Sequence, residues 1–161
     1  MRFVFVDRLV AVEPGHRIET LKNVSATEDV FTDHFPGYPL LPGALIVEAL
    51  AEAAELLIAI SHDWREVGRL ARLSRASFRH FVRPGDQLRL RCEVRASDPC
   101  VLAATAEVDG RRVATATLEY ALEPARPGTE AFARAARLAT LARELRRSPL
   151  DLAPAARGMA P

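Results

Sequence analysis

Apolar positions along this chain follow two different rhythms. Residues 44–60 form one unbroken run rich in Ala, Leu and Ile, with no Gly or Pro inside it. That length and composition predict an α-helix. The run is apolar on nearly every side, so the helix is expected to be buried almost all round. Its polar exceptions are Glu48, Glu52 and Glu55, which at i, i+4 and i+7 share one face. Elsewhere the period is two. Residues 87–96 alternate cleanly between apolar and polar, as a half-exposed strand does. Residues 101–108 and 113–122 flank Asp109-Gly110, a strong hairpin turn signal. Residues 2–12 and 17–25 read as two earlier strands around the turn Glu13-Pro14-Gly15-His16. Residues 70–82 read as another strand, ended by Pro84-Gly85-Asp86.

The order is therefore strand, strand, one buried helix, then several antiparallel strands. A long helix that is apolar all round needs a sheet that curls around it, which is an α+β arrangement. Pro124, Pro127 and Gly128 break the pattern, and residues 130–147 are rich in Ala, Arg and Leu with apolar residues at helical spacing. This predicts a first unit over residues 1–123 and an extension over residues 124–161, made of an amphipathic basic helix and a loose tail from residue 148. Such a helix is expected to pack on the protein's own surface or on a neighbouring subunit; contact with a membrane or another partner is the second use.

Composition narrows the classes. The chain has 161 residues, 49% hydrophobic and 27% charged, with a formal net charge of +1. That length suggests one globular domain, and the neutral balance argues against a nucleic-acid partner. No apolar run reaches the ~18 residues of a transmembrane segment, and the N-terminus lacks the apolar core of a signal peptide. Cys92 and Cys100 have no ligand or redox spacing. They read as free buried thiols and point to a cytoplasmic location. His16, His62 and His80 have no motif around them and read as structural or solvated.

Candidate chemistry concentrates in Asp33-His34-Phe35-Pro36-Gly37-Tyr38-Pro39-Leu40-Leu41-Pro42-Gly43, which runs directly into the long helix. Three prolines fix φ within a short span. His34 is thus a group that titrates near neutrality on a stiff scaffold, as a preorganised base requires; a purely structural histidine is the alternative. Glu48 falls in the first turns of the helix. It is either part of a solvated Glu48–Glu52–Glu55 face, or a poorly hydrated carboxyl that a neighbouring charge keeps protonated as a general acid. Gly43 stands at the helix N-terminus, where unpaired N–H groups can meet an oxyanion or simply start a helix.

At these residues the chain resembles the (3R)-hydroxyacyl-acyl-carrier-protein dehydratases of the FabZ type. Their histidine followed by F-P-G-x-P-x-x-P-G, and then a helix with a glutamate, matches His34 through Gly43 and Glu48. Val6-Asp7-Arg8, Lys22-Asn23-Val24-Ser25 and Pro84-Gly85-Asp86-Gln87-Leu88 agree as well, so the likeness covers roughly residues 3–122. It implies a hot-dog fold, an antiparallel sheet wrapped around one long central helix. It also implies a homodimer, or a higher oligomer built on dimers, with each site drawing its histidine from one subunit and its glutamate from the other. His34 would remove the α-proton of a 3-hydroxyacyl thioester held by acyl carrier protein. Glu48 of the other chain would protonate the departing hydroxyl, and the Gly43 N–H would polarise the thioester carbonyl. Phe35, Pro42 and Glu52 complete the expected substrate site. No metal or redox cofactor is implied. The product would be a trans-2-enoyl thioester, in fatty-acid or polyketide- and polyene-type synthesis.

Three positions depart from the family pattern. Glu52 stands where glutamine is usual, Asp33 where glycine is common, and Arg69 near a tyrosine that gates the acyl tunnel in many members. The rival readings are a hot-dog acyl thioesterase, which needs no histidine in such a loop, and a non-catalytic dehydratase-like subunit that pairs with a different, active heteropartner.

Overall fold

The structure, a computed structural model, describes residues 4–146. Its strands are β1 (Arg8–Glu13), β2 (Arg17–Asn23), β3 (Glu66–Phe78), β4 (Gln87–Ser97), β5 (Cys100–Val108) and β6 (Arg111–Pro124). Its helices are α1 (Gly43–Ser61) and α2 (Glu130–Arg146), with a 3-10 turn at Asp29–Thr32. The strands form one sheet in the order β1-β2-β4-β5-β6-β3, and every neighbouring pair is antiparallel. This is the α+β arrangement expected from the alternation of the two rhythms.

α1 is the core. Ala49, Leu50, Ala53, Ala54, Leu56 and Leu57 are each fully buried, as are Leu88, Leu90, Leu102 and Leu118 on the strands that curve around them. Each such leucine stabilises the fold by about 1.5–3 kcal/mol relative to an exposed one. The alanines let the sheet approach closely, and two strand side chains use that proximity. Tyr120 Oη donates to Ala51 O at 3.1 Å, and Cys92 Sγ lies 3.4 Å from Leu50 O. Burial pushes the Cys92 thiol up to about 12, so it is an inert packing group. The far end of α1 is tied to the first hairpin, because Ser61 Oγ donates to Leu57 O and accepts from Gly15 N at 2.7 Å. The hairpin expected at Asp109-Gly110 is present, and both residues take positive φ (49° and 74°), as the tightest hairpin turns require.

Two strands differ from their expected spans. β1 starts at Arg8, not residue 2. Residues 1–3 lie outside the described part, and residues 4–7 form no strand. Phe5 N instead donates to Glu52 on α1 at 2.9 Å, and Asp7 Oδ2 accepts from Asn23 N at 2.6 Å. The leading residues are thus drawn over the helix. β3 begins four residues earlier than expected and stops at Phe78, because the following residues leave the sheet to brace the Pro/Gly loop: Leu41 N donates to Val82 O at 2.8 Å. β3 and β1 are the two sheet edges.

α2 lies on α1, as an amphipathic helix packing on the protein's own surface should. Ala131, Ala135, Leu138, Leu141, Ala142 and Leu145 are its buried stripe. The tail expected from residue 148 falls outside the described residues. No helix among the described residues is long and apolar enough to cross a membrane.

Gly68 marks a close approach of the β3–β6 ladder to α1. A Cβ there would come within 2.7 Å of Tyr120 Cδ1 and 2.8 Å of Ile58 Cδ1. Gly68→Ala is expected to destabilise the fold by about 1–3 kcal/mol through overpacking. The urea midpoint reports it: a midpoint equal to wild type would mean that the ring and the isoleucine move aside freely.

Candidate active site

The Pro/Gly loop holds His34 at three points. Its N–H donates to Val30 O at 3.0 Å, and its carbonyl accepts from Leu40 N at 3.0 Å. Its ring Nδ1 lies 2.9 Å from Leu40 O. A carbonyl oxygen only accepts, so Nδ1 carries the proton and the Nε2 lone pair is left for another partner. The ring also stacks on Phe35, with centroids 4.1 Å apart. The His34–Phe35 peptide is cis. Phe35 and Tyr38 exchange backbone hydrogen bonds of 3.2 and 2.9 Å around Gly37, whose φ of 75° suits glycine. Arg83 seals the loop from outside: its guanidinium sits 4.9 Å from the Tyr38 ring centroid and donates to Tyr38 Oη.

The loop ends at the start of α1. Pro42 is the N-cap residue and accepts from Leu45 N at 3.0 Å. Gly43 is the first helical residue, and a Cβ on it would lie 2.8–3.2 Å from the Phe78 ring. Only glycine therefore lets the end of β3 close over this helix N-terminus. The first N–H groups of any helix lack intrahelical partners and carry its positive end, so the Gly43 N–H sits in a setting suited to an oxyanion.

Glu48 lies elsewhere. It lines a cavity of about 240 Å³ together with Val4, Phe5, Glu52, Glu55, Arg134 and Leu138, among others, and neither His34 nor Gly43 belongs to that lining. Glu48 is exposed within one chain, whereas Glu52 and Glu55 are half-buried. The stripe is therefore not a uniformly solvated face. Glu55 has its carboxyl raised to about 7, first by burial and then by the charges of Glu52 and Glu48, against the lowering pull of Arg134 and Arg137.

Comparison with known proteins decides the family. A family model described as a FabA-like domain matches residues 1–117. The chain belongs to the FabA-like family. It is 40% identical over 126 residues to the 3-hydroxyacyl-[acyl-carrier-protein] dehydratase FabZ of Ruminiclostridium cellulolyticum, covering 76% of this chain and 89% of that one. It is 44% identical over 125 residues to the enzyme of the same name from Bacillus cytotoxicus, covering 74% and 85%. Among solved structures, it is similar to smu.793 of Streptococcus mutans bound to acetyl CoA (TM-score 0.61, 17% identity, 77% and 94% covered). It is also similar to a hot-dog-like protein of Thermanaerovibrio acidaminovorans (0.59, 19%, 70% and 84%), and to the dehydratase heterocomplex ApeI:P of Xenorhabdus doucetiae (0.57, 20%, 70% and 95%). These likenesses establish the hot-dog fold.

Within this FabA-like chain, His34 and Phe35 sit in the loop that runs into Pro42 and Gly43 at the start of α1, while Glu48 and Glu52 line the cavity under α2. Of the three departures from the family pattern, Asp33 is exposed. Arg69 is turned to Glu123, with Nε 2.5 Å from its Oε1. Glu52 accepts from Phe5 N. Sequence reasoning did not single out Arg134, Arg137 or the buried state of Glu55. The i+7 spacing put Glu55 on the right face, but nothing in the sequence said what would cover that face.

Glu55 makes stability depend on pH. Its folded-state value of about 7 exceeds the ordinary 4.5, so the group's contribution is full below about pH 4.5 and is lost as pH rises through 7. Glu55→Gln, which mimics the protonated form, is expected to leave stability unchanged at pH 4. At pH 8 it should raise stability by on the order of 1–3 kcal/mol. Urea unfolding at the two pH values measures this; an equal effect at both would show that the carboxyl is solvated.

Proposed function

We propose that this protein dehydrates (3R)-3-hydroxyacyl chains carried on acyl carrier protein to trans-2-enoyl thioesters, as the FabZ relatives named above do in fatty-acid synthesis. The observation that carries the residue-level reading is the Nδ1–H bond of His34 to Leu40 O at 2.9 Å, which leaves Nε2 as an oriented base in a rigid loop. Nε2 takes the α-proton at C2. The C2–H electron pair forms the C2–C3 double bond, and the C3–OH bond breaks. Glu48, as the general acid, gives a proton to the leaving hydroxyl, which departs as water. The Gly43 N–H stabilises the negative charge that builds on the thioester oxygen. Glu48 is left as carboxylate and His34 as imidazolium, and proton exchange with solvent resets both.

In this reading the site is shared by a homodimer. Among the described residues no histidine lines the Glu48 cavity, which supports a site completed by His34 of a second copy. Two further features support this. β3 is a sheet edge of 13 residues, and a long edge strand is a ready pairing surface. Phe35, Tyr38, Leu73, Phe78 and Phe81 are exposed by 44–70% and flank that edge and the loop. Two copies related by a two-fold axis would bury them and exchange the catalytic halves. A cytoplasmic location belongs to the same reading.

His34→Ala and Glu48→Gln are each expected to lower turnover ~10²–10⁴-fold, since each removes one proton transfer, while the variants stay folded and dimeric. Near-normal turnover in either would remove that residue from the mechanism. Mixing the two inactive variants should restore activity. After random exchange half of the dimers are mixed, each with one intact site, so recovery approaches about a quarter of wild type. No recovery, with subunit exchange proven by mass spectrometry of differently tagged chains, would mean that both groups come from one chain.

A further inference from the structure

The family match ends at residue 117, yet α2, beyond it, contributes Arg134, Arg137, Leu138 and Leu141 to the cavity that Glu48 lines. The helix is firmly seated. Leu138 and Leu141 are buried. The half-buried Arg134 guanidinium is held 3.4 Å from Gly68 O, Glu123 Oε2 and Glu130 Oε1. The bonds to Gly68 on β3 and Glu123 on β6 hold one cation at the cavity wall, and Arg137 follows it three residues later on the same helix. We propose that α2 is the basic wall of this cavity, and that Arg134 and Arg137 are positioning residues which set the charge carried by the Glu48–Glu52–Glu55 stripe.

The physical need is plain. Three carboxyls share one helix face, two of them half-buried, and like charges at that spacing disfavour the charged form unless a counter-charge opposes them. Among the described residues, the charged groups acting on Glu55 are Glu48 and Glu52 from α1, and Arg134 and Arg137 from α2. Both arginines pull its carboxyl down against burial. From β6, Tyr120 is kept neutral by burial and by the Glu55 charge. From the N-terminal segment, Phe5 N donates to Glu52. Among the described residues, the two arginines are thus cations that oppose the Glu55 end of the stripe, and they come from the segment outside the family match. The catalytic half of this inference rests on Glu48 acting as the acid; the electrostatic half does not.

The test uses the full chain. Glutamate side-chain carboxyls are followed by ¹³C NMR across pH in wild type, in the double variant Arg134→Gln/Arg137→Gln and in its Lys counterpart, with Glu55→Gln to assign the signal. The Gln variant is expected to move the Glu55 titration upward by on the order of one pH unit, less than a fully buried pair would give because Arg137 is exposed. The Lys variant should restore most of it. If the double variant does not fold, the exposed Arg137→Gln alone carries the measurement. A Glu55 titration unmoved in a folded variant overturns the electrostatic wall. A second arm reads the pH–rate profile of dehydration. Arg137→Gln removes a cation and should carry the alkaline limb to higher pH, whereas Glu52→Gln removes an anion and should carry it lower. Active variants with unmoved limbs overturn the catalytic half. A wild type without dehydratase activity defeats the reading of Glu48 instead, and the NMR arm still decides the role of α2.

Discussion

α1 carries ten buried residues, all of them Ala, Leu or Ile, and a helix of that kind must be surrounded. The single sheet supplies the surround by curling from β1 to β3, and the alanines set how closely it can come. The site follows from this constraint. The start of α1 has to emerge at the mouth of the sheet, where the end of β3 lays Phe78 over Gly43. The Pro/Gly loop enters at the same point, pinned to residues 79–83 by the Leu41–Val82 bond. The one face of α1 that carries carboxyls is left to α2.

The loop turns a common residue into a specific one. An isolated histidine exchanges tautomers and rotates. His34 is bonded to Leu40 through both its ring and its backbone, so one nitrogen is committed as a donor and the other is aimed. The carboxyls show the complementary strategy. Their exposure differs along a single helix face, with Glu48 open and Glu55 half-buried, and α2 answers the accumulated negative charge with arginines. The proposed base and the proposed acid are thus separated within one chain, each in its own surroundings, and a two-fold partner is the simplest way to join them.

Much of this was legible in the sequence, and the reasons are physical. α1 announced itself because a long Gly- and Pro-free apolar run has few other solutions. The β5–β6 hairpin was legible because Asp109-Gly110 tolerates the positive φ of a tight turn. β3 was misplaced by four residues because Arg69, Arg72 and Arg75 interrupt any alternation, and an edge strand with six consecutive exposed residues has none to show. The start of β1 was misread because Phe5 N is claimed by Glu52, a long-range bond that no local pattern encodes. In the site, the prolines around His34 signalled rigidity, but the Nδ1–Leu40 bond depends on how the loop closes. The raised carboxyl of Glu55 could not be read from its i+7 place on the face, because the cover that α2 lays over it is a long-range contact.

The measurement closest to the central claim is incubation of the pure protein with a crotonyl thioester of acyl carrier protein or pantetheine, with the products separated by mass spectrometry. Dehydration is reversible, so an acid–base site built on His34 and Glu48 predicts addition of water across the double bond to give a 3-hydroxybutyryl thioester, with the activity lost in the His34→Ala variant. Release of free crotonic acid would identify a thioester hydrolase, and an unchanged crotonyl thioester would contradict catalysis by this chain.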